Sequence, residues 1–384
     1  MSAYICSPMR GRYPILLLLL LLPLLSGAQD EPAWAGFGVE VNAVGGKIFK
    51  HTPKFKPPIP DGLSKAIDIN FIRQTYGTKD WQQRVRYPMV GFGVTYINYG
   101  IDSVYGHLIG FYPDLQIPII RGKKLEWTLR FGFGIGFISK YYSRGPVWDT
   151  INNAMSSNIN NFSTFTTDLR YRINKHWDVQ MGANFFHVSN ATYHTPNLGI
   201  NMYGAHVGLR YFPVTSQPHR IVHDLHPLKS RWLVEGRFSM AFTESGPGYG
   251  PMYHVYLATL YASKRWHSKN KFFGGIDYSY HQDVYAFLRN NEILQGREAQ
   301  NSWKSALFLG NEFGVGRFGI ILQAGYYLRE AYLKADQPFY EKIGTHIYLI
   351  QKEQGILKEL YFSALLKTHT TVAELAEFGI GIGF

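Results

Sequence analysis

His187 and Ser189 are two positions apart in the run Phe186-His187-Val188-Ser189-Asn190, and Pro196-Asn197-Leu198-Gly199-Ile200-Asn201 follows it. Successive side chains of a strand point to opposite faces, so residues two apart share a face, with Cα atoms about 7 Å apart. An imidazole beside a serine hydroxyl supplies the base and the nucleophile of acyl transfer. The hydroxyl is inert at its own pKa and needs the imidazole to take its proton. The oxyanion that then develops needs a donor aimed at it. Asn190 or Asn197, with a backbone N–H at the turn, can supply one. The tripeptide His-x-Ser is common, and two polar residues at the rim of a membrane would read the same way. Its weight depends on the elements that carry it.

Those elements alternate with period two. Leu125, Trp127, Leu129, Phe131, Phe133, Ile135 and Phe137 are apolar, and between them lie Glu126, Thr128, Arg130, Gly132, Gly134 and Gly136. A strand with one oily face and one polar or small face separates two solvents. In a soluble sandwich the oily face would turn inward. Here that face is long and aromatic and the other is rich in glycine, which fits a membrane β-barrel with lipid outside and a polar lumen. The same alternation runs through Val179–Phe185, Tyr203–Tyr211 and Phe378–Phe384, and the chain ends on the aromatic Phe384. It sets His187 and Ser189 on the lipid face, near its outer end.

Composition agrees. Of 384 residues, 46% are hydrophobic, 16% aromatic and only 17% charged, where soluble domains carry about 25% charged residues. A disordered chain is excluded by the aromatics. A disulfide framework is excluded because Cys6 is the only cysteine. Arg10 and Arg12 precede an apolar run from Ile15 to Leu25, and Ser26-Gly27-Ala28 offers small residues for cleavage. Residues 1–28 therefore read as a secretory signal peptide, too short in its apolar part for a span of about 20 residues. After Ala28 no apolar run of about 18 residues follows, so no transmembrane helix is expected. The net charge of +12 comes with no nucleic-acid motif, so nucleic acid is not an expected partner. The anionic phosphates of a membrane surface fit an exported basic chain.

About sixteen strands are expected, near residues 34–48, 65–76, 88–99, 104–120, 124–139, 161–173, 176–189, 200–212, 231–243, 253–265, 271–281, 303–315, 317–329, 341–350, 359–369 and 374–384. Long connections (50–64, 140–160, 190–199, 282–302) alternate with short ones (121–123, 174–176, 267–270, 316), as in barrels with long outer loops and short periplasmic turns. Both termini are then periplasmic, and 213–230 is the one long periplasmic connection. The chain divides into a first half, 29–212, and a second, 231–384. They close either as one antiparallel barrel of about sixteen strands or as two tandem eight-stranded barrels. One barrel is the expected closure, because Phe384 is the single chain end available for insertion, with two tandem barrels as the alternative that the inner-face glycines support.

His-x-Ser-Asn followed by Pro-Asn-x-Gly, on a barrel hairpin leading into an amphipathic strand, resembles the lipid A 3-O-deacylase family, whose longer relatives are often called acyloxyacyl hydrolases. The resemblance implies an outer-membrane esterase that removes an ester-linked acyl chain from lipid A of lipopolysaccharide, without a metal or organic cofactor. It implies His187 as base and Ser189 as nucleophile, Asn190 as the Asn after that serine, and Asn197 as a contributor to the oxyanion hole. Asn201 falls where the family has the acid that orients the histidine, a departure that keeps an acceptor and loses a charge. Lys50, Lys54, Lys56, Lys140 and Arg144 in the outer loops are candidates for lipid A phosphates, or simply a solvated rim.

The competing class is a non-catalytic barrel, either a pore or a lipid-binding scaffold with a degenerate site. His219, His223, Asp224 and His226 in the 213–230 connection have zinc-like spacing, but Pro218 and Pro227 leave little room for a helix, and a polar linker is the better reading. His369 with Thr371 occupies the repeat position of His187 with Ser189 and reads as a degenerate copy.

Overall fold

Alternating side chains dictate strands, and the computed structural model contains sixteen of them among the residues it describes. It describes residues 34–144, 149–215, 219–225, 230–244, 250–266, 270–335, 337–370 and 372–384; the expected signal peptide, together with His226 and Thr371, lies outside them. The first eight strands are β1 (Phe37–Ile48), β2 (Ser64–Gln74), β3 (Met89–Asn98), β4 (His107–Arg121), β5 (Leu125–Ile138), β6 (Ile159–Arg172), β7 (Trp177–Ser189) and β8 (Ile200–Tyr211). The second eight are β9 (Trp232–Glu244), β10 (Met252–Arg265), β11 (Asn270–His281), β12 (Trp303–Val315), β13 (Phe318–Arg329), β14 (Phe339–Gln351), β15 (Glu359–His369) and β16 (Val372–Gly383). At 10–15 residues, each meets or exceeds the 9–11 or so that a tilted transmembrane strand needs.

Pairing is antiparallel throughout, and closure happens twice. β8 returns to β1, with Leu209 opposite Val41, and β16 returns to β9, with Phe378 opposite Met240. The single sixteen-stranded cylinder is therefore not formed; the tandem arrangement is. Its physical reason is visible in the lumens. An eight-stranded barrel has an interior just wide enough to be filled by side chains, and inner glycines make the room. The Tyr112 ring occupies the space that a Cβ on Gly93 or Gly132 would need, and Tyr361 does the same over Gly381.

Both lumens are filled by buried charge. In the first barrel Arg130 meets Asp68 at 2.6 Å, Arg170 meets Glu40 at 2.9 Å and Arg210 meets Asp178 at 2.5 Å. In the second, Lys271 is held by Glu359 at 2.6 Å and Glu235 at 2.7 Å, and Lys342 by Asp277 at 2.9 Å. Charges taken out of water persist only when paired in this way. The outer faces are the reverse: Ile67, Phe92, Ile135, Met181 and Val207 in the first barrel, and Phe238, Leu260, Leu309 and Ile380 in the second, are exposed. That is the apolar belt of a lipid-facing barrel.

The connections depart from simple long–short alternation in places: 370–371 is short at the loop end, and 352–358 is longer than the short turns at the other end. Residues 75–88 are long although they lie at the turn end, so 213–230 is not the only long connection there. They carry helix α1 (Asp80–Arg84), which packs on the inter-barrel connection. Gln83 Nε2 donates to His223 Nδ1 at 2.5 Å, His223 Nε2 donates to Asp80 Oδ1 at 2.9 Å, and Ile221 N donates to Tyr76 O at 2.7 Å. His223 is thus a strut of the linker. At the loop end, 282–302 contains helix α2 (Gln282–Asn290), with Val284 and Leu288 buried.

Candidate active site at the loop end of the first barrel

β7 positions the site because its inward residues are anchored. Phe186 and Val188 point into an apolar plug with Phe162, Ile200 and Met202, and the Phe162 and Phe186 rings stack at 5.8 Å. With the even residues fixed inside, His187 and Ser189 must face outward. β8 supplies the opposite wall, where Asn201 is the register partner of His187. Its amide Oδ1 lies 2.6 Å from His187 Nδ1. An amide oxygen only accepts, so the imidazole proton sits on Nδ1 and the Nε2 lone pair is left for another partner.

The hairpin 190–199 folds over Ser189, which is 6% exposed despite its outward register. Ser189 Oγ accepts from Ala191 N at 3.1 Å and from Asn197 Nδ2 at 2.9 Å. Asn197 Oδ1 in turn accepts from Asn190 N at 3.1 Å. The Asn190 side chain points away from the serine, donating to Ser156 Oγ and Ser157 Oγ at 3.0 Å each and accepting from Thr192 N at 3.0 Å. Asn190 therefore braces the loop, whereas Asn197 reaches the hydroxyl. Gly199 has φ +75°, and a Cβ there would stand 3.2 Å from His187 Cε1 and 3.6 Å from Ser189 Cβ. Glycine at this turn lets the chain pass against both residues. Ala191 and Thr192, with φ of 55° and 67°, also occupy the left-handed region, at a cost on the order of 1–3 kcal/mol each.

All five expected residues are thus gathered at one rim. Two further residues reach it without having been expected. His51, from the 49–63 loop, accepts from Asn201 Nδ2 at 3.1 Å. Glu244, at the end of β9 in the other barrel, accepts from Thr195 N at 2.6 Å. A histidine in a loop and a glutamate at a strand end carry no periodic signal. Lys50, Lys54, Lys56, Lys140 and Arg144 are all exposed, and Asn153 ties the backbone of Lys54 and Lys56 to the neighbouring loop. His369 is turned inward, stacked on Tyr327 and 3.8 Å from Glu374, so it does not repeat the setting of His187.

Residues 67–210 match the lipid A 3-O-deacylase (PagL) family, and residues 232–384 match the C-terminal domain of acyloxyacyl hydrolase. The two matches take up most of both barrels. The chain belongs to the lipid A 3-O-deacylase and acyloxyacyl hydrolase family of outer-membrane barrels. The first barrel carries the deacylase match and the candidate site; the second carries the match to the acyloxyacyl hydrolase C-terminal domain. Among curated proteins no sequence match is found. Solved structures that resemble the chain include the outer membrane enzyme PagL, at 17% identity, covering 46% of this chain and 99% of that one, with a TM-score of 0.29. Neisserial surface protein A is 11% identical and covers 46% of this chain and 97% of its own, with a TM-score of 0.29. A mutant of the Rh. blastica porin is 10% identical and covers 90% and 99%, with a TM-score of 0.20.

Proposed function

We propose that this protein is an outer-membrane esterase that removes an ester-linked acyl chain from lipid A, with Ser189 as nucleophile and His187 as base. The observation that carries the reading is the 2.6 Å contact between His187 Nδ1 and Asn201 Oδ1, which leaves Nε2 unprotonated on the face shared with Ser189. Ser189 Oγ attacks the ester carbonyl while its proton passes to His187 Nε2. The tetrahedral oxyanion collapses, and the released alkoxide takes that proton. Water then enters by the same base and frees the fatty acid from the acyl-serine. Asn197 and the Ala191 N–H, both already directed at the serine oxygen, are the donors nearest the developing oxyanion. Asn190 supports their loop. Asn201 fixes the tautomer but brings no negative charge to offset the imidazolium, as the Asn of Cys-His-Asn proteases does. No metal or organic cofactor enters this scheme. Exposed Lys50, Lys54, Lys56, Lys140 and Arg144 are placed to meet the lipid A phosphates.

A pore is disfavoured by lumens packed with paired charge. A lipid-binding scaffold with a slow or lost activity is the reading that neutral Asn201 would favour. Mass spectra of lipid A from cells making the wild-type chain or Ser189→Ala decide between them. Loss of one ester-linked chain only with the wild type supports the esterase; unchanged lipid A in both leaves the scaffold.

A further inference from the structure

The second barrel reaches across to the hairpin that holds Asn197. Glu244 Oε2 accepts from Thr195 N at 2.6 Å and from Thr195 Oγ1 at 3.2 Å, and Glu244 Oε1 stands 3.6 Å from His194 Nδ1. Thr192 Oγ1 donates to Ala373 O, at the start of β16, at 2.9 Å. The Glu244 side chain is fully shielded from solvent, and a shielded carboxylate is held only by partners that meet it. Among the described residues, the groups that meet it are on the 190–199 hairpin: Thr195 on Oε2 and the His194 ring beside Oε1. The grip falls at Thr192, itself in the left-handed region at φ 67°, and at Thr195, directly before Pro196-Asn197.

We infer that the second barrel is a positioning element for the site of the first, and that Glu244 is its positioning residue: it clamps the 190–199 hairpin so that Asn197 stays on Ser189. This rests on the esterase reading above. Asn190 and Thr192 tie the start of the hairpin to Ser156, Ser157 and Ala373, whereas Glu244 holds Thr195, two residues before Asn197. Losing that hold would let Asn197 drift from the serine, and an error of about 1 Å in a reacting geometry costs on the order of a hundredfold in rate. The substrate ester meets Asn197 chiefly as charge develops on its oxygen. The loss therefore falls on kcat and leaves KM nearly unchanged.

The test uses the full-length chain in lipid or detergent. Glu244→Ala is compared with Glu244→Gln, Thr192→Val and Ser189→Ala, each first checked for heat-modifiable migration as a folded barrel. Two quantities are read: hydrogen exchange of peptides covering 190–199, and kcat and KM for fatty-acid release from lipid A. Glu244→Ala is expected to speed exchange of the hairpin and lower kcat by about 10- to 100-fold. Glu244→Gln, whose amide oxygen still accepts from Thr195, restores both. Thr192→Val gives a smaller shift in the same direction and keeps the β-branched shape, so it reports the clamp even if Glu244→Ala does not fold. Wild-type kcat in Glu244→Ala, or lowered kcat with unchanged exchange, overturns the clamp; a dead Ser189→Ala in the same series leaves the esterase reading standing. A wild-type chain that releases no fatty acid overturns the esterase reading and, with it, the catalytic role of the clamp.

Discussion

His51 Nδ1 accepts a hydrogen bond from Asn201 Nδ2 at 3.1 Å, and the same amide presents its oxygen to His187. The two ends of an amide are not interchangeable: the nitrogen donates and the oxygen accepts. His51 therefore selects the orientation of Asn201 that keeps the proton on His187 Nδ1. In His51→Ala that selection is lost, and the flipped amide would donate to His187 and move its proton to Nε2. Deacylation should fall about tenfold, roughly 1.4 kcal/mol in the barrier. Nitrogen chemical shifts of a selectively labelled His187 should show the Nε2–H tautomer growing in. Full activity with an unchanged tautomer would remove His51 from the mechanism.

How far this site could be read in the sequence depended on periodicity. Period two placed the strands, and their edges moved by only a few residues, because each side chain answers to one of two solvents. The five residues of one hairpin were legible because a strand and its return bring neighbours in sequence together. Closure was not legible: whether β8 returns to β1 or runs on to β9 is decided by a pairing such as Val41 with Leu209, which no local pattern encodes. Neither helix was legible: α1 is too short for a 3.6 period, and in α2, inside a stretch that reads as a long loop, only Val284 and Leu288 are buried. His51 and Glu244 were silent because they arrive from far along the chain.

Asn201 permits a direct test of the missing charge. Asn201→Asp keeps the acceptor at nearly the same place and adds the negative charge that offsets the imidazolium, and Asn201→Glu restores the side chain that the family resemblance implies. Either is expected to hold kcat or raise it, with His51 turning to carry its proton at Nδ1. Complete loss of fatty-acid release in both, with the barrel still folded, would assign Asn201 a different part.

The filled lumens predict a stability effect without a conductance. Lys271 lies between Glu235, Glu359 and Glu312, at 2.7, 2.6 and 4.0 Å. Lys271→Met would leave those carboxylates facing one another without their cation. Removing one partner of a buried pair costs about 3–5 kcal/mol, so thermal unfolding of the second barrel should come markedly earlier. Planar-bilayer recordings should stay silent for the wild type. Steady single-channel steps would contradict the packed interior.

Orientation is tested at exposed positions. Lys54 lies on the loop end and Lys175 in the short turn between β6 and β7. A membrane-impermeant maleimide should label Lys54→Cys in whole cells, and Lys175→Cys only after the outer membrane is opened. The reverse pattern would put the site on the periplasmic side, away from the leaflet that holds lipid A.

His187 and Ser189 should act as one unit. Each alone is useless for the chemistry: the hydroxyl needs a base, and the base has nothing to activate without the hydroxyl. Ser189→Ala and His187→Ala should therefore each abolish fatty-acid release, and the double variant should be scarcely worse than either, because losses within a catalytic unit do not add. Folding should survive. Neither side chain belongs to the apolar plug formed by Phe186 and Val188, and removing Ser189 Oγ frees only the Ala191 N–H and the Asn197 amide, at about 1–3 kcal/mol. Heat-modifiable migration checks the barrel, and mass spectra of lipid A check the chemistry. If Ser189→Ala deacylates like the wild type, the acyl-serine is not an intermediate, and the hairpin serves to bind lipid rather than to cut it.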